Sequence, residues 1–292
     1  MPLYITGKWW GKKDITPVVG LHGFEDNAGT FDRLAPLLDV PGFLALDAPG
    51  HGKSSHFPRG MVYHFPDFVF TLRRLVLNAG WQKISIVGHS FGSAMGHIYS
   101  SLYPLDVEKF VSLDCARTVM ATTGSRGATG LALLRKISQN SLKADGDVSK
   151  VPPAYSAEHI LDAFCKATLG SVSKEHAQPL LQRGITAHPS KPDHFYFTRD
   201  PKLRYAEFNR PNLEILEESA QNIKCHVITI LGTEGFVKMM ADLVPGKAFF
   251  RMEELIKNSA ASYRRFDVEG SHHVHLNNPE RVAPLINKFL AP

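Results

Sequence analysis

Along its first third, the chain alternates short, unbroken apolar runs with longer stretches of helical spacing. Residues 3–10 and 18–21 read as strands, as do 42–46, the β-branched run from Lys83 into Gly88, and 110–113. The run 18–21 has no polar alternation, which suits a strand covered on both faces in a parallel sheet. Between these runs, residues 30–38 carry apolar positions at helical spacing, with Pro36 implying a kink. Residues 65–79 place Phe68, Val69, Leu72, Leu75 and Val76 on one helical face, and Gly80 is a C-terminal cap. Residues 91–103 form the next helix. Strand, helix and strand in this rhythm predict an open α/β sheet with right-handed crossovers. In such sheets the chemistry lies beyond the carboxyl ends of the strands, where His22-Gly23-Phe24, Asp47, Ser90 and Asp114 all fall.

The rhythm breaks after Asp114. Helical stretches over 131–142, 157–169 and 174–183, a short strand over 194–198 and a helix over 212–222 follow one another. An insertion of this length is too long for a plain loop and reads as a mostly helical cap. The sheet resumes with 226–231, a helix over 249–258, the strand 263–268 and a closing helix 279–290. The expected division is therefore a core in two parts, 1–116 and 223–292, with a cap at 117–222. The glycine-rich stretch 124–130 has no strand before it and no Gly-Lys-Ser/Thr ending, so it is neither a phosphate loop nor a dinucleotide fingerprint. It reads as a flexible entrance to the cap.

Candidate chemistry concentrates at Gly88-His89-Ser90-Phe91-Gly92. A Gly-x-Ser-x-Gly run between a strand and a helix is the context of a nucleophile elbow, in which the serine sits at a strained, exposed apex between tiny neighbours. A serine hydroxyl needs a base oriented by a third group. Histidine is the natural base because its pKa lies near neutrality. Of the 14 histidines, His272, His273 and His275 follow the last strand; His272, first after the Gly270-Ser271 turn, is chosen as the base. His273 and His275 are read as loop or core support. A metal cluster is not expected, since no partnering carboxylate or cysteine motif accompanies them. Two acids satisfy the order serine, acid, histidine: Asp114 after the strand that follows the elbow helix, and Glu234 after the next strand. The backbone N–H groups of Phe24 and Phe91 are the expected oxyanion donors. His22 and Gly23 shape the turn, and Asp47 is assigned to its own loop.

Composition narrows the partners. The 33 basic and 28 acidic residues leave a formal +5, scattered as isolated pairs such as Arg73-Arg74, so no nucleic-acid surface is expected. Cys115, Cys165 and Cys225 lack Cys-x-x-Cys spacing and point to reduced thiols in an intracellular compartment. No apolar run is long enough for a membrane span or a signal peptide, which leads to the expectation of a cytosolic protein.

Taken together, ITGKWWG at 5–11, LHGFEDNAGTFDRLAPLL at 21–38, GHSFG at 88–92, LLQRGITA at 180–187, FTRDPKLR at 197–204 and EGSHHVHLNNPE at 269–280 carry a resemblance. The chain resembles the α/β-hydrolase superfamily and, within it, the serine hydrolase-like proteins that include the kraken-type hydrolases. The resemblance implies an α/β-hydrolase fold, a mostly parallel sheet with flanking helices and an inserted cap, with Ser90 as nucleophile and His272 as base. Most of the superfamily puts an Asp where this chain has Gly235, and Asp114 matches the location used by haloalkane-dehalogenase-like relatives, so Asp114 is preferred to Glu234. Dehalogenases and epoxide hydrolases themselves use an Asp nucleophile where Ser90 stands. Some relatives are associated with peroxisomes, but Leu290-Ala291-Pro292 is not a Ser-Lys-Leu address. The expected activity is a cofactor-free carboxylesterase acting on a small or medium apolar ester. The alternatives are a ligand-binding protein on the same scaffold, or thioester cleavage or acyl transfer on the same residues.

Overall fold

The computed structural model describes residues 3–115, 151–205, 213–239 and 246–292, with isolated positions between 135 and 146. Apart from those positions, the stretch 124–130 and the helix expected over 131–142 lie outside the described residues. The strands are β1 (Gly7–Gly11), β2 (Val18–Leu21), β3 (Gly42–Leu46), β4 (Ile84–His89), β5 (Val107–Leu113), β6 (Ile185–Ala187), β7 (Phe195–Phe197), β8 (His226–Glu234) and β9 (Ser262–Ser271). The helices are α1 (Phe65–Asn78), α2 (Phe91–Leu102), α3 (Ala157–Ala167), α4 (Gln178–Gly184), α5 (Leu213–Asn222), α6 (Phe236–Met239), α7 (Gly246–Ser259), α8 (Val274–Asn277) and α9 (Ala283–Leu290).

Among the described residues, seven strands form one sheet in the order β1-β3-β2-β4-β5-β8-β9, parallel throughout except for the antiparallel edge pair of β1 and β3. Period-two alternation divides the core between its faces. Ile84 and Ile86 of β4 pack with Phe68 of α1, Tyr99 of α2 and Ile256 of α7, whereas Val87 packs with Phe31, Leu34 and Ile286 on the other face. Both faces are covered, which is why these strands read as continuous apolar runs.

Local chemistry sets the helix limits. Asp67 accepts a hydrogen bond from the His64 backbone N–H at 2.9 Å at the start of α1, and Gly80, at φ +68°, follows its end. Residues 30–38 are not one helix. Two short 3₁₀ segments, Ala28–Phe31 and Ala35–Leu37, stand there instead. Pro36 fits the first turn of the second segment, where its missing N–H costs nothing, and would break a continuous helix.

Residues 151–205, within the span expected to form a cap, combine α3 and α4 with a hairpin of β6 and β7. Helix α5, at the end of the span expected as the cap, packs on the main core cluster. Its Leu216 and Ala220 are buried in the cluster that contains Ile86 and Tyr99, and Ser219 bonds His97 of α2 at 2.8 Å.

Buried polar contacts fasten the cap. Asp47, fully buried, accepts from the Ala28 and Lys53 amides at 2.8 Å each and from Arg183 Nε of α4 at 2.7 Å. Lys202 donates to three carbonyls, Phe57, Pro58 and Met61, at 2.6–3.0 Å. Burial opposes the charge on Asp47, but Arg183 and the two amides outweigh it and hold the carboxyl below its ordinary value. Removing one partner of such a pair strands the other, so Asp47→Ala is expected to cost about 3–5 kcal/mol in urea unfolding. Because the folded carboxyl is depressed, this contribution is full above the unfolded value of about 4 and fades as pH falls through the folded one. The gap between parent and variant should therefore shrink in acid; a gap that widens there contradicts the assignment.

Candidate active site

Strand β4 enters α2 through Ser90, whose backbone stands at φ +49° and ψ −112°. A non-glycine residue in this region is strained and is held there by its surroundings. The flanking glycines explain how. A Cβ on Gly88 would lie 2.6 Å from the Gly92 carbonyl oxygen, and one on Gly92 would lie 2.0 Å from that of Leu21. The Ser90 N–H donates to Leu113 O at 2.9 Å, tying the apex to β5.

Asp114 follows β5 at φ +41° and is fully buried. Its Oδ1 accepts from the Gly232 N–H at 3.0 Å and its Oδ2 from the Phe236 N–H at 2.7 Å. His272, after β9, places Nδ1 2.5 Å from Asp114 Oδ2. A carboxylate only accepts, so Nδ1 carries the proton and Nε2 is left free as a base. His272 is 13% exposed, with the rings of His89 and Phe236 at centroid distances of 4.6 and 5.4 Å. Burial lowers its pKa, the bond to Asp114 pushes it back up, and the net shift is downward, so the imidazole is neutral at neutral pH.

Glu234 is exposed at the end of β8. Its neighbour Gly235 shows why Asp114 occupies the shared space: a Cβ at 235 would lie 2.1 Å from Asp114 Oδ1. Any side chain there would collide with the carboxylate contributed by β5.

The turn after β2 carries Phe24. His22 Nδ1 donates to Gly23 O at 2.6 Å and its Nε2 accepts from the Ala48 N–H at 2.9 Å, while the Asp26 N–H closes the turn onto Gly23 O at 3.2 Å. A cavity of about 300 Å³ brings this turn together with Ser90 and His272. Phe24, Phe236 and, from the cap, Phe164, Ala167 and Leu169 give it apolar walls, and Arg199 stands at its edge. Asp47 lies outside this cavity.

His273 and His275 support the loop. His275 is fully buried with Nε2 2.9 Å from Thr30 Oγ1, and His273 Nδ1 meets Ser171 Oγ at 2.8 Å. Three contributors escaped the motif reading: Asp26, the cap's α3, and Arg199, which reaches Glu25 at 3.4 Å. Asp26 sits four residues beyond His22 in a loop whose only readable signal was its turn, and no local spacing ties it to the histidines near 272.

The profile described as the alpha/beta hydrolase fold matches residues 16–125. The chain is 35% identical over 293 residues to a "Probable serine hydrolase" of Drosophila melanogaster, covering 98% of this chain and 84% of that one. It is 34% identical to a "Serine hydrolase-like protein" of Danio rerio, covering 99% and 85%. The crystal structure of a hypothetical protein from Pseudomonas aeruginosa PAO1 superimposes with a TM-score of 0.77 at 25% identity, over 98% of this chain and 94% of that one. The fold and the strained serine turn thus define an α/β hydrolase. Within that class, the chain belongs to the serine hydrolase-like family. No helix among the described residues is long and apolar enough to cross a membrane.

Gly235→Ala offers a direct check on the packing behind His272. Its new Cβ must displace the Asp114 carboxylate or the backbone, so a stability loss of about 1–3 kcal/mol is expected in urea unfolding, with a fall in hydrolysis of an activated ester. A variant as stable and active as the parent would show that Asp114 does not need its observed position.

Proposed function

We propose that the protein hydrolyses carboxylic esters of small or medium, mainly apolar acyl groups through Ser90, His272 and Asp114. The observation that carries this reading is one cavity bordered by the strained Ser90 and by His272, with His272 Nδ1 held by Asp114 at 2.5 Å. Ser90 Oγ attacks the ester carbonyl while His272 Nε2 takes its proton, and Asp114 stabilises the imidazolium and fixes the ring. The tetrahedral oxyanion is assigned to the backbone N–H groups of Phe24 and Phe91. Collapse expels the alcohol, which receives the proton from His272. Water then gives its proton to His272 and attacks the acyl-enzyme, and Ser90 leaves reprotonated with release of the acid. The aromatic and aliphatic walls support an apolar acyl group, and three cysteines without Cys-x-x-Cys spacing support a reducing, cytosolic setting.

Thioester cleavage by the same groups is the second reading. Arg199 favours it, since a guanidinium lining the cavity suits a substrate with an anionic tail, which would take the place of Glu25 at 3.4 Å. Comparing neutral and acid-terminated esters and thioesters of one chain length separates the two; a preference for acid-terminated thioesters over the matching esters that disappears in Arg199→Ala supports the second.

Fluorophosphonate should label the parent and not Ser90→Ala; equal labelling of both would remove Ser90 from the mechanism. Asp114→Asn should reduce kcat by about 10⁴-fold with the fold intact, whereas Glu234→Gln should leave it nearly unchanged, and the reverse order would reassign the acid. The rate should rise with pH through a midpoint below the ordinary imidazole value of 6.5. In Asp114→Asn the residual rate should have a lower midpoint still, because the hydrogen bond that raises the His272 pKa is weakened.

A further inference from the structure

Beside the cavity, and not used by the mechanism above, three side chains converge on one atom. His273 Nε2 lies 3.2 Å and His89 Nδ1 3.6 Å from the same oxygen, Asp26 Oδ2, and the three ligand atoms fall within 4.8 Å of one another. Asp26, His89 and His273 are 4%, 1% and 4% exposed, too buried for water to satisfy them freely.

Proton accounting makes this meeting unusual. The Ser171 hydroxyl donates to Thr168 O at 2.6 Å, so toward His273 Nδ1, 2.8 Å away, it only accepts. His273 Nδ1 therefore carries the ring proton. His89 Nε2 lies 3.0 Å from the His272 carbonyl oxygen, which also only accepts, so the proton of His89 is on Nε2. With one proton on each ring, both would aim a lone pair at a carboxylate oxygen that is itself an acceptor. Among the described residues, His89 Nδ1 has no hydrogen-bond partner. Positive charge between them resolves the meeting in one of two ways: a second proton on His273 Nε2, or a metal ion bound by all three groups, which also uses the lone pair of His89 Nδ1.

We infer that Asp26, His89 and His273 form a binding site for a divalent, borderline-soft metal ion, with zinc the best chemical fit. Two imidazoles and one carboxylate are a zinc-type donor set that leaves one position open. Both rings have the outer arrangement of metal-ligating histidines, the far N–H being fixed by a carbonyl in one and a hydroxyl in the other. Tetrahedral bonds of about 2.0–2.1 Å separate neighbouring ligand atoms by about 3.4 Å. The observed 3.2 and 3.6 Å lie on either side of that value. All three residues border the cavity, which gives an ion its path in and turns the open position toward water or substrate. Because His89 also holds the His272 carbonyl, an ion here would act on the loop that carries the proposed base. The inference does not rest on ester hydrolysis, and its test reads the metal directly.

The full-length protein, stripped with a chelator and dialysed, is titrated with Zn²⁺ and with Co²⁺. Elemental analysis should find stoichiometric zinc after removal of free metal, and Co²⁺ should give the intense visible absorption of a tetrahedral site. Asp26→Asn and His273→Gln should each weaken binding by more than about 100-fold, while Glu234→Gln should not. Circular dichroism checks that the variants fold. Ring ¹⁵N spectra of the parent need no variant: added Zn²⁺ should move His89 Nδ1 and His273 Nε2 first. No stoichiometric metal, binding that survives both substitutions, or spectra showing an imidazolium against Asp26 that Zn²⁺ does not displace would overturn the site.

Discussion

The closeness of strand and helix at Ser90 is the constraint on which the rest of this molecule depends. Two glycines let β4 and α2 approach to a distance that no Cβ would allow, with the Leu21 carbonyl as the wall on one side. That wall belongs to β2, so the turn after β2 is pressed against the serine by the same contact that strains it. The backbone of Phe24 thereby comes to the mouth of the cavity. Strain at one residue is maintained by the packing of three consecutive sheet elements.

Asp114 is the second organising contact. It continues β5, receives amides from the end of β8 and the start of α6, and meets His272 beyond β9. One buried carboxylate therefore joins the ends of three adjacent parallel strands. The charge is satisfied by two N–H donors before the histidine is counted, which is what makes its burial tolerable. Gly235 is the complement of this choice, since a carboxylate at the more common position would need the space that Asp114 fills.

Residues 151–205 are held by an apolar cluster of Phe164, Val172, Ala177 and Leu180 with Leu276, and by buried polar contacts. Arg183 on Asp47 and Lys202 on three carbonyls are buried and directional, so they specify where the cap sits. Phe164 belongs both to that cluster and to the wall of the cavity, where Ala167 and Leu169 join it. Polar anchoring of this kind was invisible in the sequence because Asp47 and Arg183 are 136 residues apart and neither belongs to a motif.

Local patterns determined a good deal. Unbroken apolar runs specified the parallel strands, since strands covered on both faces have no polar side. The glycines around Ser90 specified the elbow, because close approach demands them within five residues. The place of His272 after the last strand singled it out as the candidate base, whereas position left Asp114 and Glu234 both open as the acid, and only the family resemblance favoured Asp114. Tertiary structure alone decided the remainder. It packed α5 on the main core cluster, because Leu216 and Ala220 suit either partner until α2 is beside them. It made 30–38 two short turns, and it set Asp26 against His89 and His273, placing a carboxylate beside histidines that lacked one in sequence. The physical reason is range: hydrogen-bonded periodicity and steric turns act over a few residues, whereas buried charge finds its partner only after the sheet has brought distant strand ends together.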